Sequence, residues 1–491
     1  MKREPQTTRD LLIQALPEAA SLYGGTPRPQ HVYFPPSHAK ALRPDVSVVV
    51  GMRGAGKSFW WAALQEPSVR KLIAAVDRFA QIEEKTEIAV GFGERPMMDR
   101  YPDKDTLRWL MQEGREPRLI WRTVVVYNLL TEKMPGFRDW GARVDWVENH
   151  PQEVARCLEE KDRDLQEQGI WALVLFDALD RAADRWEDMY GLIRGLLQVA
   201  LELRPTQRIR IKCFLRTDQL EESRVATFPD ASKVLSSQVP LTWPRPDLYG
   251  LLWQYLANAQ EAATFRETVE RVLNIRWERI SLDGAVIWQW PRPFREDEEK
   301  HRKLFHMIAG EWMGRDRKRG FPYSWLPGHL ADAYGRTSPR SFLAALREAA
   351  EDTRQRYPDH EYALHYESIK RGVQRASANR VRELKEDYPW IDTLMQPLSG
   401  LFVPCEFPVI RERWEQEGVL HKLEQLPPEE AKLLPPHLED GYAGLRKDLE
   451  ELGIFLRMED GRVNIPDVFR VGYGLGRKGG VKPLRTQEYQ P

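Results

Sequence analysis

The sequence predicts an α/β fold: a parallel P-loop-type sheet with a helical lid, then a helical connector and a winged-helix-like C-terminal region. Three observations predict it. Short β-rich runs at 46–50, 88–92, 171–176 and 208–215 alternate with longer helical patterns near 57–73, 105–131, 152–167 and 185–203, which is the pattern of strands joined by helical crossovers. After Trp243-Pro244-Arg245-Pro246 the β signal fades, and helical patterns follow at 247–274, 297–313, 327–334, 339–355 and 360–386. Beyond Pro404, helical stretches near 408–426 and 440–452 precede LRMEDGRVNIP, where Asp460-Gly461 between short apolar-alternating runs signals a two-residue hairpin. Helix, helix, hairpin is the order of a winged helix.

The elements divide the chain into five regions. Residues 1–45 carry a helical pattern from Leu11 to Tyr23 and then GGTPRPQ and FPPS, whose glycines and prolines suggest an extended arm. Residues 46–245 form the α/β core, 246–355 the lid, 356–404 the connector and 405–491 the winged-helix-like domain with a basic tail. A chain of 491 residues is too long for one core, so several domains are expected.

Composition narrows the function classes. A net charge of -1 with 30% charged residues provides no global basic field for nucleic acid, so such binding would need local patches. Cys157, Cys213 and Cys405 lie far apart, in no paired spacing, which disfavours a disulfide framework or a cysteine metal site and fits a reducing cytoplasm. The N-terminal Met-Lys-Arg-Glu-Pro lacks the apolar core of a signal peptide. No run approaches the roughly 18 apolar residues that a bilayer requires. The ten histidines include no pair at helical metal spacing, giving little weight to hydrolase or metalloenzyme chemistry. The 17 tryptophans follow no repeat period and are expected to serve core and interface packing.

The sharpest motif is GMRGAGKS, Gly51 to Ser58, directly after the apolar run Val46-Ser47-Val48-Val49-Val50 and before the helical SFWWAALQ. Glycines here let successive backbone N–H groups converge on phosphate oxygens, and the following helix adds the positive end of its dipole. Gly51, Gly54, Ala55, Gly56, Lys57, Ser58 and Phe59 are the candidate nucleotide-binding residues. Lys57 would reach the β and γ phosphates and Ser58 would ligate Mg2+. The bland alternative is a glycine-rich turn.

A metal site also needs a carboxylate, and WALVLFDALDRAADRW ends a buried apolar run with Asp177. A carboxylate there sits at the carboxyl edge of the sheet, where open α/β folds bind ligands; the alternative is a helix N-cap. Asp180 could polarise an attacking water, or pair with Arg181 or Arg185. In RIRIKCFLRTD, Ile209, Ile211, Cys213 and Leu215 alternate with Arg and Lys ahead of Arg216, which could lie beside a γ phosphate. An edge strand with solvated Arg208, Arg210 and Lys212 is the competing reading. In YGRTSPRSFLAALREAA, Pro339 starts a helix and places Arg340 in its first turn, unfavourable against the dipole unless an anion compensates; a phosphate would, and a plain surface arginine is the default.

GMRGAGKS, LVLFDALDR, IKCFLRTD and GRTSPRSF occur in the order loop, acid, sensor, lid arginine. The set resembles the additional-strand P-loop ATPases of the AAA+, STAND and KAP-like groups, most closely bacterial STAND- or KAP-like ATPases, over roughly residues 30–355, with a weaker likeness at 405–480 to the winged-helix domain that often follows. The resemblance implies ATP and Mg2+ as cofactors, Lys57 and Ser58 on phosphate and metal, Asp177 on the metal, Arg216 as a sensor and Arg340 as a lid sensor. It further implies protein partners that supply the output, a homo-oligomer with an arginine finger from a neighbouring subunit (Arg224 is the guess), and a place in bacterial antiviral defence or genome maintenance. One departure matters: Ala178 stands where a second acid usually follows the metal-binding Asp. Either Asp180 substitutes, or turnover is slow and the protein is mainly a switch or scaffold.

Nucleic acid is the other candidate partner, for a DNA-associated loader or initiator. The helix 439–452 that would read a groove carries five acids, which phosphates repel. Cations at 369–386 (six, against two acids) and at 468–485 (Arg470, Arg477, Lys478, Lys482, Arg485) could touch a backbone instead, or be solvated faces and a loose tail.

Overall fold

The computed structural model describes residues 3–18, 26–220, 222–426 and 434–483. The chain forms two compact units, one of residues 26–242 with 282–285, the other of 1–25, 243–281 and 286–491.

The first unit is built on a five-stranded sheet. Its strands are β1 Val48–Gly51, β2 Glu87–Phe92, β3 Ala172–Phe176, β4 Ile209–Arg216 and β5 Val239–Pro240, in the order β2-β3-β4-β1-β5. Every pairing is parallel. The β-branched VVV of β1 and the wholly buried ALVLF of β3 suit strands covered on both faces. Gly51 lies opposite Arg216 and Phe176 opposite Cys213, so β1, β3 and β4 end at one edge of the sheet.

β4 is therefore an interior strand, which corrects the edge-strand reading of its alternating cations. Lys212 is fully buried, and its ammonium donates to the carbonyls of Ala41 (2.9 Å), Arg43 (2.9 Å) and Val46 (2.6 Å) at the end of the helix Pro36–Leu42. Burial pushes its pKa down to about 7. Arg208 and Arg210 lie over the ring of Trp171, at 5.0 and 5.3 Å.

Two expected helices are each broken in two. Lys57–Gln65 stops before Glu66-Pro67 and Pro67–Val76 follows; Lys104–Gln112 is ended by Gly114 at φ 81°, where the Arg115 N–H returns to the Leu110 carbonyl, and Pro117–Leu129 starts afresh. Proline disfavours helical geometry in the residue before it and removes an N–H donor. Residues 26–45 are no extended arm. Val32, Tyr33 and Phe34 are buried, and Phe34 meets Trp60 edge-on at 5.7 Å. The Trp60 indole donates to His38 Nδ1 (3.0 Å) and His38 Nε2 faces the Thr242 carbonyl (3.0 Å), so this fully buried ring is neutral, with its pKa pushed down to about 4.

The second unit is mainly helical. It includes Arg245–Ala257, Glu298–Ala309, Pro322–Leu330, Pro339–Arg356 and Tyr366–Asp387. A hairpin of β6 Glu278–Leu282 and β7 Ala285–Gln289 interrupts the expected helical run; its turn, on Asp283 and Gly284 at φ 49° and 84°, is the segment 282–285 counted with the first unit. Trp253 donates to His301 Nδ1 (2.8 Å) and His301 Nε2 faces the Arg295 carbonyl (2.9 Å), the same buried Trp–His–carbonyl relay as in the first unit. Trp60, Trp121, Trp253, Trp290, Trp390 and Trp414 are all fully buried side chains, in keeping with a packing role. Toward the C-terminus the order is Phe407–Gln416, Val419–Glu424, Gly441–Glu451, then β8 Leu456–Arg457 antiparallel to β9 Val463–Asn464. The hairpin loop holds three residues rather than two, because Met458 N–H donates to Arg462 and Gly461 takes φ 86°. No helix among the described residues is long and apolar enough to cross a membrane.

Candidate functional site

The loop GMRGAGKS joins β1 to the helix Lys57–Gln65. At Gly51 a Cβ would come within 3.0 Å of the Ala55 Cβ, and Gly54 and Gly56 take φ 80° and 100°, where L side chains are disfavoured. Gly56 is the N-cap, so the first-turn N–H groups at Lys57, Ser58 and Phe59 have no intrahelical acceptor. Trp60, held by Phe34, Phe59 and His38, anchors this helix in the core. The loop is thus backed by a rigid element.

Around it the structure gathers the polar residues singled out above, apart from those of the second unit. The Lys57 ammonium is buried and donates to the loop carbonyls of Gly51 (2.8 Å) and Met52 (3.0 Å). Its pKa is pushed down to about 8, first by burial and then by the charge of Arg216, against the pull of Asp177, Asp218 and Asp180. Asp177, buried just beyond β3, accepts from the Ser58 side chain and from the Ala178 N–H. Burial, helped by Asp180, raises its pKa to about 6. Ala178 sits at φ 56°, a left-handed conformation unusual for a residue with a Cβ.

Asp180 does not pair with Arg181 or Arg185. Its carboxylate lies 3.5 Å from Arg216 Nη1, while Arg181 bridges to Glu94 (2.7 Å). Arg216, itself buried, is also held by Asp218, 3.0 Å from Nη2. Asp218 is the site residue that sequence reasoning missed, although it stands in the same RTD that contributes Arg216.

Arg340 belongs to the second unit, in the first turn of Pro339–Arg356. The anion answering its charge is the Glu383 carboxylate, at 3.1 Å. Arg224 lies over the Tyr190 ring at 5.7 Å, in a pocket of about 460 Å³ lined also by Glu187, Arg194, Ser223 and Thr227.

The cations proposed for nucleic acid are largely neutralised. Along Tyr366–Asp387, Lys370, Arg371, Arg375, Arg380 and Lys385 each have a carboxylate within 4.0 Å, leaving Arg382 of the six. In the tail Arg470 is fully buried against Asp467 (2.8 Å), which Arg477 also approaches (3.6 Å). Arg485 lies outside the described residues. One grouping of metal-ligating side chains appears among the described residues, His437, Asp448 and Glu451, but the Lys447 ammonium faces His437 Nε2 at 2.7 Å and fills the place of a cation.

A glycine-shaped loop after β1, an acid after β3 and a strand inserted between them define the additional-strand class of P-loop α/β fold. No family model matches the chain, and no curated protein matches it. Solved structures with some likeness include the Aeropyrum pernix ORC2 protein in ADPNP–ADP complexes, at 14% identity over 90% of this chain and 94% of that one, with a TM-score of 0.38. Its ADP form gives 12%, 89%, 93% and 0.31. Cdc6p from Pyrobaculum aerophilum gives 10%, 86%, 83% and 0.28. At these scores the fold argument rests on the strand order alone.

Proposed function

We propose that this chain binds Mg-ATP on residues 51–59 and acts as a hydrolysing nucleotide switch that alters its contacts with protein partners. The observation that supports it most is the meeting of Lys57, Ser58 and Asp177 at the end of β1 and β3, with Arg216 beside them. In this reading the loop and first-turn N–H groups hold phosphate oxygens, and Lys57 exchanges its two loop carbonyls for the β and γ phosphates. Ser58 and Asp177, now bonded to each other, are a hydroxyl and a carboxylate, hard oxygen donors suited to Mg2+. Bound magnesium supplies charge neutralisation across the β and γ phosphates. Arg216 senses the γ phosphate and Asp180 orients water. Arg224 is the residue offered to a neighbouring subunit in a homo-oligomer. The chain carries no Asn-Lys-x-Asp guanine signature, which favours ATP.

Phosphate release by the purified protein tests this. Turnover should fall to background in Lys57→Ala and Asp177→Ala; equal rates in all three proteins would end the ATPase reading. A second reading, a nucleotide-binding scaffold, is favoured by Ala178 and by the pairing of Asp180 with Arg216. It requires ATP binding without phosphate release in the unaltered protein.

A further inference from the structure

We propose that the loop Gly314–Gly320 of the second unit is a docking surface for the phosphate backbone of double-stranded DNA. The sequence GRDRKRG places Arg315, Arg317, Lys318 and Arg319 within five residues, all exposed. Elsewhere in the chain basic residues are commonly paired with acids. Here, among the described residues, no carboxylate lies within ion-pair distance of any of the four. The one acid inside the loop, Asp316, directs its carboxylate to the Lys318 backbone N–H (2.9 Å) and caps the short turn Arg317–Arg319. Glu311 is the other acid of this connection, exposed on its near side.

The backbone of the loop is fixed. Met313 N–H donates to the Gly320 carbonyl (2.9 Å) and closes its base, while Arg319 N–H to Asp316 (3.1 Å) and Gly320 N–H to Arg317 (3.2 Å) tie its tip. Gly320 takes φ 87°, and the Arg319 stem lies against Gly314, where a Cβ would meet its Cγ at 2.9 Å. Met313 is buried, and Trp312 packs on Phe321 at 4.8 Å. A rigid loop holding four unpaired cations loses less conformational freedom on meeting a polyanion than a flexible tail does.

Its chemistry selects among polyanions. A single strand is held by stacking on exposed aromatics, and the flanking Trp312, Phe321 and His306 rings pack on one another instead. Stable attachment to an anionic membrane takes an apolar or lipid anchor, or an adjoining membrane-spanning or amphipathic helix, beside the cations, and the loop carries no apolar side chain. Duplex RNA is recognised largely through 2′-hydroxyls displayed across its shallow minor groove, and the loop offers these nothing beyond the cations that serve phosphate, so duplex DNA is the occupant favoured and duplex RNA the alternative that the test separates. Arginine and lysine alone suit phosphate contacts that position without reading sequence.

The test is fluorescence anisotropy of a labelled random-sequence DNA duplex with the full chain across a salt series, beside duplex RNA and phosphatidylserine vesicles. Four phosphate contacts predict a slope of log K against log salt of about −3.6. Replacing Arg315, Arg317, Lys318 and Arg319 together by alanine should weaken low-salt binding at least about tenfold and flatten the slope. The control Arg382→Ala/Lys482→Ala, in the connector and tail, should retain both. An unchanged thermal transition shows that the loop variant is folded. No duplex binding by the unaltered protein, equal slopes in unaltered and loop-variant proteins, or tighter binding to RNA or vesicles than to DNA would each overturn the proposal.

Discussion

If Lys57 grips phosphate, nucleotide affinity must depend on pH in a way that the burial of its amine dictates. The ammonium form binds an anion and the neutral amine does not, and burial has brought the pKa down to about 8. Bound phosphate adds negative charge and raises it again, so affinity is level below the free-state value and falls as pH rises through it. At pH 9 about one loop in eleven carries the charge, against about ten in eleven at pH 7, a roughly tenfold loss or about 1.4 kcal/mol. Asp177 sets a second limb, because a carboxylate raised to about 6 must be ionised to hold a metal. The extra affinity given by magnesium should therefore shrink as pH falls through 6. Binding of a fluorescent ATP analogue, with magnesium or with EDTA, measures both limbs, and Asp177→Asn, whose side chain does not titrate, separates the acid limb from protonation of ATP itself. Lys57→Arg keeps its charge throughout this range and should abolish the alkaline decline. The same decline in Lys57→Arg, or none in the unaltered protein, would refute the reasoning.

Two further outcomes concern the scaffold. Lys212→Met removes three hydrogen bonds and should destabilise β4 by about 2–4 kcal/mol at pH 7. Because the folded pKa is lowered to about 7, the unfolded chain binds the extra proton between pH 7 and 10.5, so the unaltered protein gains stability across that window at up to about 1.4 kcal/mol per unit. The variant should lack that slope, as urea titration read by hydrogen exchange in peptides of residues 209–216 would show. Ala178→Val puts a β-branched residue at φ 56° and should lower stability by about 1–2 kcal/mol, whereas Ala178→Gly should not; thermal unfolding distinguishes them.

What was legible in the sequence was what local geometry forces. The phosphate loop needs glycines at set intervals because Gly54 and Gly56 take positive φ, and Asp177 stands out because five consecutive buried residues precede it. Long-range features were not legible. The alternation in RIRIKC looks the same for an edge strand as for an interior one, and Lys212 finds its acceptors some 170 positions upstream. Val32, Tyr33 and Phe34 sit among prolines and glycines that suggest a loose arm, and only Trp60 explains their burial. The cations of Tyr366–Asp387 looked unopposed because several of their acids, such as Asp352 and Glu348, lie on the preceding helix. The Asp283-Gly284 hairpin carried a readable signal that the surrounding helical periodicity overrode.

The proposed switch turns on Arg216 more than on the loop. β4 brings it opposite Gly51, and two carboxylates hold it, Asp218 at 3.0 Å and Asp180 at 3.5 Å. An arginine buried between two acids is neutralised before any phosphate arrives. A γ phosphate would compete with Asp180, the longer and more exposed of the two contacts, and draw the guanidinium toward itself. That exchange would free the Asp180 carboxylate at the moment when a water must be oriented, with Asp218 still anchoring the arginine. Ala178 then need not be an acid for turnover to occur, because the base is released by the substrate rather than standing ready beside Asp177.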